Sequence, residues 1–328
     1  IIEVFTSLSL SPTKSDFDNL EPAIIALNNH INKLCKVGFD IQEIKNHIID
    51  IFGLRAYFIR RLKHLKIKHV VVDFFYHKKA LALISACKHL GVRTTEFQHG
   101  IQGGAVYSNW DRKLEHGFSF LPDNFWVWNR IEAKKIKWHF KYKEHDCIVG
   151  GDVFYAFYKK NQKKSLEREK NKILVTLQNL DENQKNALMR ILIPVMLKLK
   201  KRKYLWVFRG HPEHKNASDE WISKLNKEIE VVYDKGFGDL FSWLEQCSLH
   251  ITCSSSTVFE GMLFNVPSII IDKNANDQYK ELLKNNQLMS VDSPDGLLEL
   301  IESRKFNLNQ FENVNFESKF QDFCQKYF

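Results

Sequence analysis

Leu249-His250-Ile251-Thr252-Cys253-Ser254-Ser255-Ser256-Thr257-Val258-Phe259-Glu260-Gly261, continuing into Pro267-Ser268-Ile269-Ile270-Ile271, is the stretch that decides the fold class. Residues 249–252 form a short apolar run of strand type, a helical pattern covers 257–264, and 267–271 is β-branched again. A strand, a helix and a second strand in so short a stretch make a βαβ unit, whose strands lie parallel. The alternation extends upstream, with strands at 172–177, 204–208 and 230–233 and helices at 182–200 and 239–247. Pro194 is expected to kink the first of these helices. A Rossmann-like sheet over 172–312 follows.

The first half repeats the pattern. A strand at 69–74, a helix at 78–90 closed by Gly91, and a strand at 92–97 form another βαβ unit. After a loop at 98–123 come a strand at 124–128, a helix at 130–142, and Cys147-Ile148-Val149 leading into Gly150-Gly151. Residues 20–66 carry apolar residues at helical spacing, enough for two or three helices, and Ile1-Ile2-Glu3-Val4-Phe5 reads as a strand. A chain of 328 residues is about twice the common domain length of roughly 100–200 residues. The expected architecture is α/β, two Rossmann-like domains facing across a cleft. Residues 1–157 form the first domain, 158–171 a basic linker, 172–312 the second domain, and 313–328 a helix that packs back on the body.

Composition narrows the function classes. With 44% hydrophobic and 13% aromatic residues the chain is that of an ordered protein, and no run reaches the ~20 apolar residues of a membrane span. Residues 1–5 lack the charged start and cleavage site of a secretory leader, and residues upstream of them are expected to be missing. The six cysteines form no C-x-x-C pair, which fits buried free thiols in a reducing cytoplasm. A net charge of +9 calls for an anionic partner. Positive residues gather at 134–143, 159–172 and 198–203, each equally readable as a solvated face. The first cluster, Lys134, Lys135, Lys137, Trp138, Lys141 and Lys143, interleaves aromatics and is a candidate for an anionic membrane surface on the cytoplasmic side. No compact helix of alternating arginines and polar residues is present, so nucleic acid is not the expected partner, though a basic nucleic-acid-binding module is the alternative from another class.

In open α/β sheets, ligands bind beyond the carboxyl ends of the strands, and three segments fall there. Ser254, Ser255, Ser256 and Thr257 lie between a strand and a helix, where hydroxyls, backbone N–H groups and the helix dipole suit a phosphate. A plain helix cap would need only one of them. Glu260, on the following turn, is a candidate partner for a ribose or else a solvated first-turn acid. Arg209-Gly210-His211-Pro212 ends an apolar strand, with Gly210 allowing close approach and Pro212 fixing the exit, so that His211 can donate to a phosphoryl oxygen. Gln98-His99-Gly100-Ile101-Gln102-Gly103-Gly104 follows a strand of the first half. There three glycines leave room for a substrate, and His99 is a candidate general base. For either histidine the competing reading is an ordinary loop residue.

These three segments, in this order, resemble bacterial surface-polysaccharide transferases of the GT-B fold. The His-Pro and Ser-Ser pair is similar to that of the sialyltransferase and capsule transferase group, and the order His-Gly, His-Pro, Ser-Ser is also similar to glycerophosphotransferases that use CDP-glycerol. The likeness spans roughly 70–271, including Pro122-Asp123-Asn124-Phe125-Trp126-Val127-Trp128. It implies a glycosyltransferase with a nucleotide-sugar donor, CMP-linked by preference. Arg209, Gly210, His211, Pro212, Ser254, Ser255, Ser256, Thr257 and Glu260 would form the donor side, and Gln98, His99, Gly100 and Gln102 the acceptor side, the acceptor being a glycan or lipid-linked glycan. The sequence has no Asp-x-Asp at a strand end, so a metal-independent reaction without a cofactor is expected. A CDP-polyol phosphotransferase is the alternative. An epimerase of the same fold is less expected, since no acidic cluster shows in the loops of the first half.

Overall fold

The computed structural model describes residues 21–22, 24–26, 28–29, 32–33, 38, 40–101, 120–136, 145–162, 164–178, 182–212, 218–236, 238–306 and 314–327. The strand expected at 1–5 lies outside them. The chain divides into two compact units, Ile1–Val153 with Val314–Phe328, and Phe154–Asn313.

In the first unit α1 (Ile41–Leu62) is capped by Asp40, whose side chain accepts from Gln42 N at 2.8 Å. Its Ile48 and Phe52 cluster with Ile24. Then follow β1 (His69–Val72), α2 (Lys78–His89), β2 (Arg93–Phe97), β3 (Asn124–Val127), α3 (Arg130–Lys135) and β4 (Asp146–Val149). The four strands form one parallel sheet in the order β1-β2-β3-β4. All four residues of β3 are buried, as befits a parallel strand covered on both faces. One face packs Val72, Phe75, Ile84, Leu121, Phe125, Val127 and Ile136. The other is sealed by the C-terminal helix Phe316–Tyr327, whose Phe323 and Tyr327 cluster with Trp126. The indole N–H of Trp126 donates to the Gly151 carbonyl at 2.8 Å.

In the second unit α4 (Val153–Asn161) leads to β5 (Lys172–Thr176), α5 (Glu182–Ala187), a π-helical turn Leu188–Leu192 and α6 (Ile193–Lys198). The kink expected from Pro194 takes this form: proline lacks the N–H for a regular turn, and the widened turn lies immediately before it. β6 (Leu205–Arg209), α7 (Asp219–Leu225), β7 (Val231–Asp234), α8 (Leu240–Gln246), β8 (Leu249–Thr252), α9 (Thr257–Leu263), β9 (Ser268–Ile270), α10 (Lys280–Lys284), β10 (Met289–Ser290) and α11 (Pro294–Ser303) complete it. The six strands are parallel in the order β10-β9-β8-β5-β6-β7. Read from β7, that is the doubly wound order 3-2-1-4-5-6.

The stretch expected as a linker, 158–171, packs on the second unit instead. Buried Glu245 accepts from Tyr158 at 2.9 Å, Lys159 at 3.2 Å and Ser165 at 3.1 Å, and from the Gln162 amide. Burial alone would raise the Glu245 carboxyl, but the bonds from Tyr158 and Lys159 outweigh it and hold the group below its usual value. Arg168 adds bonds to the carbonyls of Phe264 and Asn265.

Candidate functional site

Strands β5, β6 and β7 wind one way from the centre of the second sheet, and β8, β9 and β10 wind the other, so the switch point lies between β5 and β8. The serine segment leaves the carboxyl end of β8, and the His-Pro segment leaves that of β6. They flank the exit of β5 on either side, about 10 Å apart at the usual strand spacing.

Within the serine segment the hydroxyls divide into two kinds. Ser255 is buried and inward-committed: its N–H donates to Thr252 Oγ1 at 3.1 Å, its hydroxyl to Thr257 Oγ1 at 2.9 Å, and its Oγ accepts from Thr257 N at 3.3 Å. Its carbonyl accepts the Tyr279 hydroxyl at 2.7 Å. Ser255 and Thr257 therefore hold the turn together, and the capping role is taken. Ser254 and Ser256 are half-buried, and neither hydroxyl has a hydrogen-bond partner among the described residues. Helix α9 is only two turns long, so the hydroxyls rather than a helix dipole are what the segment offers. Glu260 is half-buried on its first turn.

Arg209 does not reach out to a ligand. Its guanidinium pairs with Asp234 and donates to the carbonyls of Gly238 at 2.7 Å and Gly236 at 3.3 Å. Asp234 also accepts from Trp243 Nε1 at 2.9 Å and from the N–H groups of Gly236 at 2.9 Å and Gly238 at 3.0 Å. Burial would raise the Asp234 carboxyl, yet the Gly238 N–H, the Arg209 charge, and the Trp243 and Gly236 donors together hold it low. This knot fixes the loop after β7 against the His-Pro segment, where Gly210 N donates to Asp234 O at 2.8 Å. His211 is half-buried and Pro212 exposed at the exit.

Gly236 is where the two loops touch. It has φ +88°, and a Cβ there would lie 2.8 Å from Gly210 O and 3.0 Å from Pro212 Cα. Gly236→Ala is expected to cost about 1–2 kcal/mol from the left-handed backbone alone. It should also displace His211. Urea denaturation with a nucleotide titration checks both, and an unchanged midpoint would refute the account.

Below the switch point His250 is wholly buried. It bridges three neighbouring strands through Thr176 Oγ1 at 2.8 Å and Ser268 Oγ at 2.9 Å. Burial depresses its pKa to about 3, so it is a neutral strut and not a proton carrier. At the same end of the sheet a cavity of about 370 Å³ opens past β9, lined by Asn183, Asn186, Arg190, Asp272, Lys273 and Asn274 among others. It is of the size of small-ligand sites.

In the first unit Gln98 is buried, and its amide is consumed. Nε2 donates to Gly100 O at 2.7 Å and Glu132 Oε2 at 3.0 Å, and Oε1 accepts from Trp128 N at 2.8 Å. It ties the exits of β2 and β3 together. His99 is exposed beside the end of β1, its Nε2 3.2 Å from the Tyr76 hydroxyl and its ring 5.1 Å from that of Phe74. A Cβ on Gly100 would meet no atom within 4 Å, so that position is open. Gln102, Gly103 and Gly104 lie outside the described residues.

Of the basic cluster at 134–143, Lys134 is exposed and Lys135 pairs with buried Glu132 at 2.6 Å. Lys137, Trp138, Lys141 and Lys143 lie outside the described residues. Cys87, Cys147, Cys247, Cys253 and Cys324 are free, and burial pushes the thiols of the first three up to about 12, which keeps them protonated. Among the described residues no group of three His, Cys, Asp or Glu side chains is placed to hold a metal, and no helix is long and apolar enough to cross a membrane.

Tyr76, Asp234 and Tyr279 belong to these sites and were not anticipated. Asp234 carried a signal in the sequence, an acid at a strand end before a glycine-rich loop. Tyr76 and Tyr279 carried none.

No protein family matches the chain, and no curated protein does. Among solved structures it is similar to S. aureus MnaA with UDP, at 14% identity and TM-score 0.58 over 86% of each chain. It is similar to UDP-GlcNAc 2-epimerase from Methanocaldococcus jannaschii, at 16% identity and TM-score 0.56 over 85% of this chain and 82% of that one. A third likeness is to UDP-GlcNAc 2-epimerase from Neisseria meningitidis bound to UDP-GlcNAc, at 12% identity and TM-score 0.57 over 96% and 98%. At such identities the likeness is one of fold, and it is the fold class expected from the sequence: two parallel-sheet α/β units of the Rossmann type.

Proposed function

We propose that the chain is a nucleotide-sugar enzyme whose second unit holds the nucleotide's phosphate at the switch point between β5 and β8. The observation that carries this is the pair Ser254 and Ser256, half-buried hydroxyls without hydrogen-bond partners among the described residues, in a loop braced by Ser255, Thr257 and Tyr279. Braced donors at the carboxyl end of a doubly wound sheet meet an anion at little ordering cost. The solved neighbours bound to UDP or UDP-GlcNAc support this class of ligand.

The reaction we favour is glycosyl transfer to an acceptor hydroxyl of a surface glycan. The bond between the sugar's anomeric carbon and the phosphate oxygen breaks, and a bond to the acceptor oxygen forms. The acceptor's proton passes to a general base, and the oxyanion of the leaving nucleotide is met by His211, Ser254 and Ser256. The second reading is epimerisation of a UDP-sugar without an acceptor, favoured by the likeness in fold to UDP-GlcNAc 2-epimerases.

Thermal unfolding with CMP, CDP, UDP, GDP and dTDP tests the common core, since a ligand of the folded state raises the midpoint. A rise with one of them, lost in Ser254→Ala/Ser256→Ala, is expected, and it names the base. No rise with any would sink the proposal. Proton NMR of the matching nucleotide-sugar then separates the two reactions: transfer releases free nucleotide only when acceptor is present, whereas epimerisation yields a new nucleotide-sugar without one.

A further inference from the structure

The chain from Ile51 to Val72 carries six Lys or Arg and no Asp or Glu. Most of that excess lies where α1 ends. Gly53, Tyr57, Arg60 and Arg61 are spaced i, i+4, i+7 and i+8, which sets them on one side of the helix. Ile48 and Phe52 are buried on the opposite side, against Ile24. The first side accordingly faces water: all four residues are exposed, Tyr57 by 48%. Lys63 then caps the helix, its N–H donating to Ile59 O at 3.0 Å. Bonds from Leu65 N to Leu62 O at 2.9 Å and from Ile67 N to Leu65 O at 2.7 Å fold the next residues into a tight turn before β1. In that turn Lys63, Leu65 and Lys66 are exposed, Leu65 by 55%.

Strand register fixes what lies beside the turn. His69, the first residue of β1, pairs with Arg93, the first of β2, and Arg93 N donates to Lys68 O at 3.2 Å. Exposed Arg93 thus adds a further cation at the same end of the sheet. Arg60, Arg61, Lys63, Lys66 and Arg93 have no ion pair among the described residues. The acids at the starts of β3 and β4 do not offset them. Asp123 accepts from Thr94 N at 2.7 Å and Thr94 Oγ1 at 2.8 Å and pairs with Lys88 at 3.6 Å, and Asp146 pairs with Lys326 at 3.5 Å. A partner for this end must carry many negative charges. It must also give Leu65 and Tyr57 an apolar bed, which a bilayer does and a nucleic-acid backbone does not.

We propose that this end of the first unit, built of Tyr57, Arg60, Arg61, Lys63, Leu65 and Lys66, docks on an anionic lipid surface. Leu65 enters below the headgroups, and the guanidinium and ammonium groups lie among the phosphates. The basic cluster at 134–143, which the sequence favoured for this role, has Lys135 committed to Glu132. The inference is independent of the nucleotide reading, and so is its test.

The full chain is sedimented with vesicles of phosphatidylglycerol and phosphatidylcholine in equal parts, and with vesicles of phosphatidylcholine alone. Binding to the first and not the second is expected, weakening as salt rises. Arg60→Gln/Arg61→Gln and Lys63→Gln/Lys66→Gln should each lower the affinity by about fivefold per charge removed, and Leu65→Ser by about fivefold. All three variants change exposed residues and should keep the wild-type melting midpoint and nucleotide response. Lys201→Gln/Lys203→Gln, in a basic cluster of the second unit, should bind as wild type. The proposal is overturned by absence of binding, by equal binding to both kinds of vesicle, or by an equal loss in the control variant. It is also overturned if Leu65→Ser binds as wild type while a single-stranded oligonucleotide strips the chain from the vesicles, since nucleic acid would then be the partner. Dispersal of a wild-type oligomer by Tyr57→Ser would overturn it too, because a second copy would then be what covers this end.

Discussion

Gly150→Ala is expected to destabilise the first unit by about 3 kcal/mol or more, at the upper end of what overpacking costs. A Cβ at Gly150 would stand 2.0 Å from Trp126 Cε2 and 2.1 Å from Cζ2. The indole has no room to retreat. It is fully buried, its N–H is held by Gly151 O, and its ring is flanked by Phe97 at 5.4 Å, Phe316 at 5.6 Å and Phe323 at 5.4 Å. Relief must come from shifting β4 or from prising the C-terminal helix off the sheet. Urea denaturation followed by tryptophan fluorescence reads the loss. A double-mutant cycle with Trp126→Phe, which removes the atoms concerned, should return part of it. Additive costs in that cycle would show that the clash is not the cause.

The second large effect is on acid stability. His250 has its pKa depressed to about 3 by burial, against an ordinary value near 6.5. Between those values the unfolded chain takes up a proton that the folded chain refuses, so acid favours unfolding. The stability this group confers is complete above pH ~6.5 and drains away as pH falls toward 3, with about 2 kcal/mol lost between pH 7 and pH 5. His250→Gln removes the titration, and although the variant starts less stable, its loss over the same two pH units should be smaller by that amount. Equal losses in both proteins would refute the assignment. Burial lowers His69 of the first unit in the same direction.

Much of the architecture was legible because parallel strands buried on both faces are written as unbroken apolar runs. Lys172–Thr176 and Leu249–Thr252 are buried along their whole length and were read within a residue. The 294–303 helix was missed, although Ser293 followed by Pro294 is a start signal and Ser293 does cap it. What the sequence could not reveal was which polar residues are spent inward. Ser255, Gln98 and Arg209 have the chemistry of ligand-binding groups, and each is occupied by partners that only the folded chain brings near. Asp234 lies 25 residues from Arg209, and Glu132 lies 34 from Gln98. The lysines of 158–171 misled for a related reason. Their composition is that of a solvated tether, while the residue that anchors them, Glu245, is more than 80 positions downstream. Tyr155 and Tyr158, three apart, were the available hint.

The return of residues 314–327 to the first unit makes the second unit an insertion within the first. Domains commonly fold in the order in which the ribosome delivers them, but here that order is reversed at one point. When residue 313 has been made, everything the second unit needs is in hand, while Trp126 still lacks Phe316, Phe323 and Tyr327. A chain ending at residue 313 would thus carry all of the second unit beside a first unit with one sheet face bare. The stretch made after the second unit, and not the one made before it, completes the first.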